Sequence, residues 1–214
     1  MALWLDVILV LLILTSLWLL GSSRLRACIQ AVAFQGIMLG LIPLLCAWPD
    51  ITVRLAAVAV LSMVVKAIVL PGMLRRAARE ANVRYEVQPL IGFTTSLLLG
   101  IVLWGLAMHV SRQLPVTMLH VTPLLIPVAI FTIFCGFLLI VSRNTAVMQV
   151  IGYLALENGI YVFGWAFAIE DPLLVEMGVL LDVFVAVFVM GIMIYRLSRE
   201  FDTIETDELD SLKE

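Results

Sequence analysis

The apolar positions of this chain run together in long blocks. Seven of them, residues 2–20, 28–47, 55–74, 89–108, 123–142, 145–168 and 173–195, approach the roughly 20 residues that a helix needs to cross a bilayer. Arg, Pro or acidic residues bound each block. No period-two alternation competes with them, so strands are not expected. The connections are short, which makes consecutive helices antiparallel neighbours. One of the two longest, residues 75–88 (RRAAREANVRYEVQ), has room for a short surface helix. Pro71 inside the third block predicts a kink, because proline removes one backbone hydrogen bond. The pattern predicts an all-α integral membrane protein with seven transmembrane helices.

Composition supports this. Of 214 residues, 63% are hydrophobic and 14% charged, against about 25% charged in soluble domains. The first Arg residues follow the first apolar block, the reverse of a secretory signal, so the first helix is expected to be retained. Lys and Arg are distributed unevenly between the block ends. One set of ends carries ten: Arg24, Arg26, Arg75, Arg76, Arg79, Arg84, Arg143, Arg196, Arg199 and Lys213. The opposite set carries only Arg54 and Arg112. Basic loops stay on the cytoplasmic side, which places the N-terminus outside and the C-terminus in the cytoplasm. The C-terminal stretch EFDTIETDELDSLKE holds seven acids and one Lys, and the remainder is slightly basic. Nothing in this balance suggests a nucleic-acid partner.

Three ionisable residues lie deep inside the blocks: Lys66 in the third, Glu157 in the sixth and Asp182 in the seventh. A charge at mid-bilayer costs about 3 kcal/mol on insertion scales, and such residues face a partner or a wet cavity. At about 1.5 Å per residue, Glu157 lies about 20 Å from the inner end of its block. Asp182 lies about 15 Å and Lys66 about 18 Å from the outer ends of theirs. In a core about 30 Å thick, all three fall near the midplane and form a layer.

Glu157 has Tyr153 and Tyr161 at i−4 and i+4, with Asn158 adjacent and Gln149 two turns earlier on roughly that face. A carboxyl among hydroxyls and amides can pass protons through side chains and a few waters. The competing reading is an interhelical hydrogen bond that only holds helices together. Asp182 is flanked by Gly178 and Ala186, small enough to admit another helix or water. Two acids in one apolar layer cannot both ionise cheaply, so a shared or exchanged proton is expected. A buried Lys66 must pair with a carboxylate or lose its proton. Glu176 lies near the outer surface, as a relay end or a solvated rim residue. The proton-transfer candidates are therefore Glu157, Asp182, Lys66 and Glu176, supported by Tyr153, Asn158, Tyr161 and Gln149.

Cofactor sites are not expected. Cys28, Cys46 and Cys135 are widely spaced, whereas zinc and iron–sulfur sites need several converging ligands. His109 and His120 fall in or beside one loop, not inside the apolar blocks where a bis-His haem would need them.

The run IGYLALENGIYVFG, the loop EDP and the run LLVEMGVLLDVFVAVFVMGIMIYRLSR resemble component E of hydrogenase-4, a membrane subunit of formate hydrogenlyase-type complexes. The strongest segment is 149–199; KAIVLP and the tail DELDSLKE extend the resemblance. The last three helices are also similar to the K subunit of respiratory complex I, which carries one acid on each of its last two helices. Glu157 and Asp182 fall in the corresponding helices. Glu157 stands about one turn along from that family's acid, and Asp182 replaces a Glu. The resemblance divides the chain into a four-helix segment (1–110), a K-like three-helix segment (111–199) and an acidic cytoplasmic tail (200–214). It implies a non-redox subunit of a prokaryotic inner-membrane complex that moves protons or sodium ions. Its partners would be antiporter-like and other membrane subunits, and a soluble hydrogenase-like arm holding iron–sulfur and nickel–iron centres. A free-standing secondary transporter is the alternative, although no second copy of the ENG or KAIVLP segment is found. A scaffold subunit without an ion-conducting role is the other.

Overall fold

The computed structural model describes residues 2–80, 90–114 and 122–167. These residues form α1 (Ala2–Gly21), α2 (Leu25–Cys46), α3 (Val53–Val64), a π-helical turn (Val65–Val69), α4 (Leu70–Glu80), α5 (Phe93–Gln113), α6 (Leu125–Ser142) and α7 (Ala146–Phe167). Asp182, Glu176 and the whole of the seventh apolar block lie outside the described residues, as do Arg84, His120 and the acidic tail.

Among the described residues, five helices are long and apolar enough to span a membrane: α1, α2, the continuous run Val53–Arg76, α5 and α6. The sixth block forms α7, a 22-residue helix that packs along α6. The helix bounds follow the apolar blocks, with two differences. The third block runs through a π-helical turn into α4, and the part of the 75–88 connection beyond Glu80 lies outside the described residues. Its helix continues through α4 as far as Glu80. α5 begins at Phe93 and runs past the apolar block to Gln113, where exposed Gln113 pairs with His109 across one turn at 3.0 Å.

α3 starts at Thr52, whose hydroxyl accepts from the Leu55 amide at 3.3 Å and satisfies one free N–H of the first turn. The π turn that follows is where proline acts. In a regular helix the Pro71 ring would press on the carbonyl four residues back. Here the backbone widens just before it, and the Leu70 amide bonds to the Val65 carbonyl, five residues back.

The helices pack in a connected sequence. α6 touches α1, α5 and α7, while α2 touches α1, α3, the π turn, α4 and α7. Glycines set the closest approaches. A Cβ at Gly136 would lie 2.5 Å from the Leu156 amide nitrogen, and one at Gly159 would lie 2.6 Å from that of Ile133. α6 and α7 therefore meet backbone to backbone, as small-residue interfaces allow in membranes, where lipid supplies no hydrophobic force between helices. Large apolar side chains such as Trp4, Trp18, Ile101 and Val102 are exposed on the outside of the bundle, as lipid contact requires.

Arg143 ties the ends of three helices together. Its side chain is fully buried, with Nη2 donating to the Leu20 carbonyl at 2.5 Å and Nη1 to the Ile91 carbonyl at 3.3 Å. Its guanidinium also lies 4.7 Å from the Phe93 ring. Leu20 is in the last turn of α1, where unsatisfied carbonyls give the helix its negative end, so a cation there is doubly placed. The end of α1, the start of α5 and the end of α6 consequently lie on one side of the bundle, as the alternation read from the sequence requires.

Candidate functional site

The site is assembled where the third span and α7 meet. Gly159 faces α6 with its backbone. At about 100° per residue, Glu157 lies about 160° round the helix from it, on the far side of α7. The tight α6–α7 contact thus turns Glu157 and Asn158 toward α2 and the π turn. Gly36 of α2 brings the other half in: a Cβ there would stand 2.7 Å from the Lys66 carbonyl carbon. Gly40, one turn on, packs the same way against Met63, with a hypothetical Cβ 2.8 Å from the Met63 Cβ.

Lys66 Nζ lies 2.6 Å from Glu157 Oε1, and both side chains are 3% exposed. This burial means that neither group snorkels to an interface. The two charges neutralise each other inside the bundle, the condition on which buried ions are tolerated. Lys66 Nζ also donates to Asn158 Oδ1 at 3.4 Å and lies 5.3 Å from the Tyr161 ring centroid, within cation–π range.

The polar contacts continue away from the pair. Asn158 Nδ2 donates to Gln35 Oε1 at 3.2 Å, and Gln35 Nε2 donates to Thr15 Oγ1 at 3.0 Å and Ser16 Oγ at 3.2 Å. Thr15 Oγ1 in turn lies 2.8 Å from the Leu11 carbonyl and 3.0 Å from that of Leu12. One line of polar groups therefore crosses from α7 and the third span, through α2, into α1.

Of the residues singled out from the sequence, the structure brings together Lys66, Glu157, Asn158 and Tyr161. Lys66 pairs with a carboxylate, one of the two outcomes expected of it. Tyr153 is part-buried one turn before Glu157. Gln149 lies about 12 Å along α7 from Glu157, and its amide donates to the Arg143 carbonyl at 3.3 Å, at the opposite end of the α6–α7 connection. Asp182 and Glu176 lie outside the described residues. Gln35, Thr15 and Ser16 were not singled out, although a Gln in the middle of AVAFQGIMLG is the kind of intramembrane polar residue that signals a site.

Comparison with known proteins agrees with this architecture. A family model described as NADH-ubiquinone/plastoquinone oxidoreductase chain 4L matches residues 124–214. An uncharacterized protein of Mycobacterium tuberculosis (strain ATCC 25618 / H37Rv), Rv0085, is 34% identical over 206 residues, covering 95% of this chain and 93% of that protein. Hydrogenase-4 component E of Escherichia coli (strain K12) is 27% identical over 152 residues, covering 71% of this chain and 70% of that protein. The Shigella flexneri protein of the same name matches equally, at 27% over 152 residues. No solved structure matches. With a chain 4L family match over residues 124–214 and relatives along most of its length, the chain belongs to the hydrogenase-4 component E family.

Proposed function

We propose that this chain is a non-redox membrane subunit of a complex I-like, energy-converting complex, and that it carries part of the path along which protons or sodium ions move. The family supports membership of such a complex. The observation that supports a role in the path is the Lys66–Glu157 pair, held at 2.6 Å inside the bundle.

The chemistry follows from the pair. As an ammonium and a carboxylate the two residues cancel each other. A proton delivered to Glu157 leaves Lys66 without its counter-ion, and Lys66 must then find another carboxylate or give up a proton. Asp182, placed at similar depth on the next apolar block, is the candidate for that second carboxylate. A charge that can pair with either of two acids transfers a proton between them, without any redox centre in this chain. The coupled electron transfer belongs to the soluble arm proposed as partner. Tyr161, with its ring beside Lys66, keeps the ammonium partly desolvated and within reach of α7.

A second reading is favoured by the same contact. A 2.6 Å ion pair between the third span and α7 is also a clasp, and a scaffold subunit would use it to fix two helices. Ion uptake by vesicles containing the complex separates the two. Glu157→Gln keeps the shape and the hydrogen-bonding capacity of the side chain but cannot exchange a proton. The ion-path reading expects coupled uptake to fall sharply, with assembly checked by co-purification of the partner subunits. Full uptake with both Glu157→Gln and Asp182→Asn in place would leave only the clasp.

A further inference from the structure

The polar line from Lys66 to α1 has a direction. Lys66 donates to Asn158 Oδ1, Asn158 Nδ2 donates to Gln35 Oε1, and Gln35 Nε2 donates to Thr15 and Ser16. Every donor points away from Lys66. The ammonium imposes this order at one end, because it has donors only and Asn158 must offer it an oxygen. That choice leaves Asn158 Nδ2 facing α2, where only an oxygen can receive it. Gln35 presents its oxygen there while its nitrogen is engaged by two hydroxyls on α1. Were Gln35 turned over, two amide nitrogens would confront each other. Asn158 could relieve that only by turning its own nitrogen toward the ammonium.

Gln35 is fully buried, and its neighbour Gly36 is the contact that seats the Lys66 backbone. Among the described residues, the titratable groups placed against Lys66 include Glu157 and Tyr161, both from α7, while α2 faces the site with the uncharged Gln35 and Gly36. No charge on α2 therefore competes with the amides in orienting the site.

We infer that Gln35 is a positioning residue of the ion path. By fixing which end of the Asn158 amide faces Lys66, it keeps the ammonium held between Asn158 and Glu157. The inference rests on the proposed function and adds to it a residue whose amide is linked to the charge pair through Asn158. It also makes α1 part of the site, since the hydroxyls of Thr15 and Ser16 hold the Gln35 nitrogen.

The test uses the assembled complex in vesicles, with Glu157→Gln as a parallel variant. Gln35→Met keeps the length of the side chain and removes its polarity. Gln35→Glu, when protonated, again offers one acceptor and one donor. Two quantities are read: ion uptake, and the infrared carboxylate band of Glu157, assigned by its loss in Glu157→Gln. Gln35→Met is expected to lower uptake by up to about tenfold, the upper end of what one neutral buried hydrogen bond contributes, and to alter the Glu157 band. Gln35→Glu is expected to restore both. Normal uptake and an unaltered band in Gln35→Met, with uptake lost in Glu157→Gln, would overturn the inference and leave the proposed function standing. Uptake retained in Glu157→Gln would overturn the proposed function itself, and the inference with it. Loss of uptake in Gln35→Met without rescue by Gln35→Glu and without a change in the band would mark a packing defect and overturn the inference. If Gln35→Met fails to assemble, Thr15→Val with Ser16→Ala releases the Gln35 nitrogen without touching α2. A wild-type band and wild-type uptake in that double variant would equally overturn it, and a change in the same direction as expected for Gln35→Met would support it.

Discussion

Gly36 and Lys66 touch through their backbones: a methyl group added at Gly36 would stand 2.7 Å from the Lys66 carbonyl carbon and 2.9 Å from the Ala67 nitrogen. The obstacle is main chain, not a side chain that can swing aside. The position of the lysine is therefore set by what is missing from α2 as much as by the carboxylate on α7.

Gly36→Val should push α2 off the π turn. A shift forced on packed backbone costs about 1–3 kcal/mol, so the detergent-solubilised complex should melt at a lower temperature and lose ion uptake. Gly72→Ala is the control. Nothing lies within 4 Å of a Cβ at that exposed position, and Ala in a helix interior is favoured over Gly by about 0.5–1 kcal/mol. Equal melting temperatures for Gly36→Val and the parent would show that the contact is not a constraint.

Much of this arrangement is readable without coordinates. Among the described residues, the first six apolar blocks predict the helix bounds to within about six residues, and depth counting places Lys66 and Glu157 at one level. Depth gives no azimuth, however, so contact between them had to come from packing. Gln35 was overlooked because single amides in apolar blocks look like ordinary breaks in the pattern, and its value depends on Asn158, which is 123 residues away. Arg143 was read as one of ten cytoplasmic charges. A count of Lys and Arg cannot tell a solvated charge from one buried against carbonyls. The π turn was anticipated only as a kink, since proline marks where a helix is disturbed but not how the disturbance is absorbed.

Arg143 should prove structural. Arg143→Ala leaves the Leu20 and Ile91 carbonyls without their charged donor, at a cost of about 3 kcal/mol. Arg143→Lys should recover only part of this, because a single ammonium cannot reach two separate carbonyls as a planar fork does. The measurement is the melting temperature of the solubilised protein, with the order parent, Lys, Ala. Identical behaviour of the Lys variant and the parent would mean that charge alone suffices.

The charge pair should show strong coupling. Removing one member of a buried pair costs about 3–5 kcal/mol, because the other charge is left uncompensated. Lys66→Met and Glu157→Gln should each reduce the amount of assembled complex in membranes. The double variant should assemble better than Lys66→Met alone and still fail to take up ions. Additive losses in the double variant would count against the pair as the unit that matters.

Orientation can be checked independently. With ten basic residues on one set of helix ends and two on the other, a C-terminal reporter active only outside the cytoplasm should remain silent. An active reporter would mean that the helix number or the orientation is different from the seven-span, C-terminus-inside arrangement.

The widened turn before Pro71 has a consequence for phase. Along the third span Ala59, Ser62, Lys66, Leu70, Leu74 and Ala78 are buried, with Pro71 beside them. They recur every three or four residues, but too often every four: an ideal helix would have drifted by about 100° over that stretch. One residue accommodated without an added turn takes up that same angle. The disturbance therefore keeps six side chains on a single meridian. A strictly regular helix would turn Leu70, Leu74 and Ala78 progressively away from Lys66, by about 40°, 80° and 120°. The π turn is what allows one continuous rod to present its cation to α7 and still seat its C-terminal half on α2.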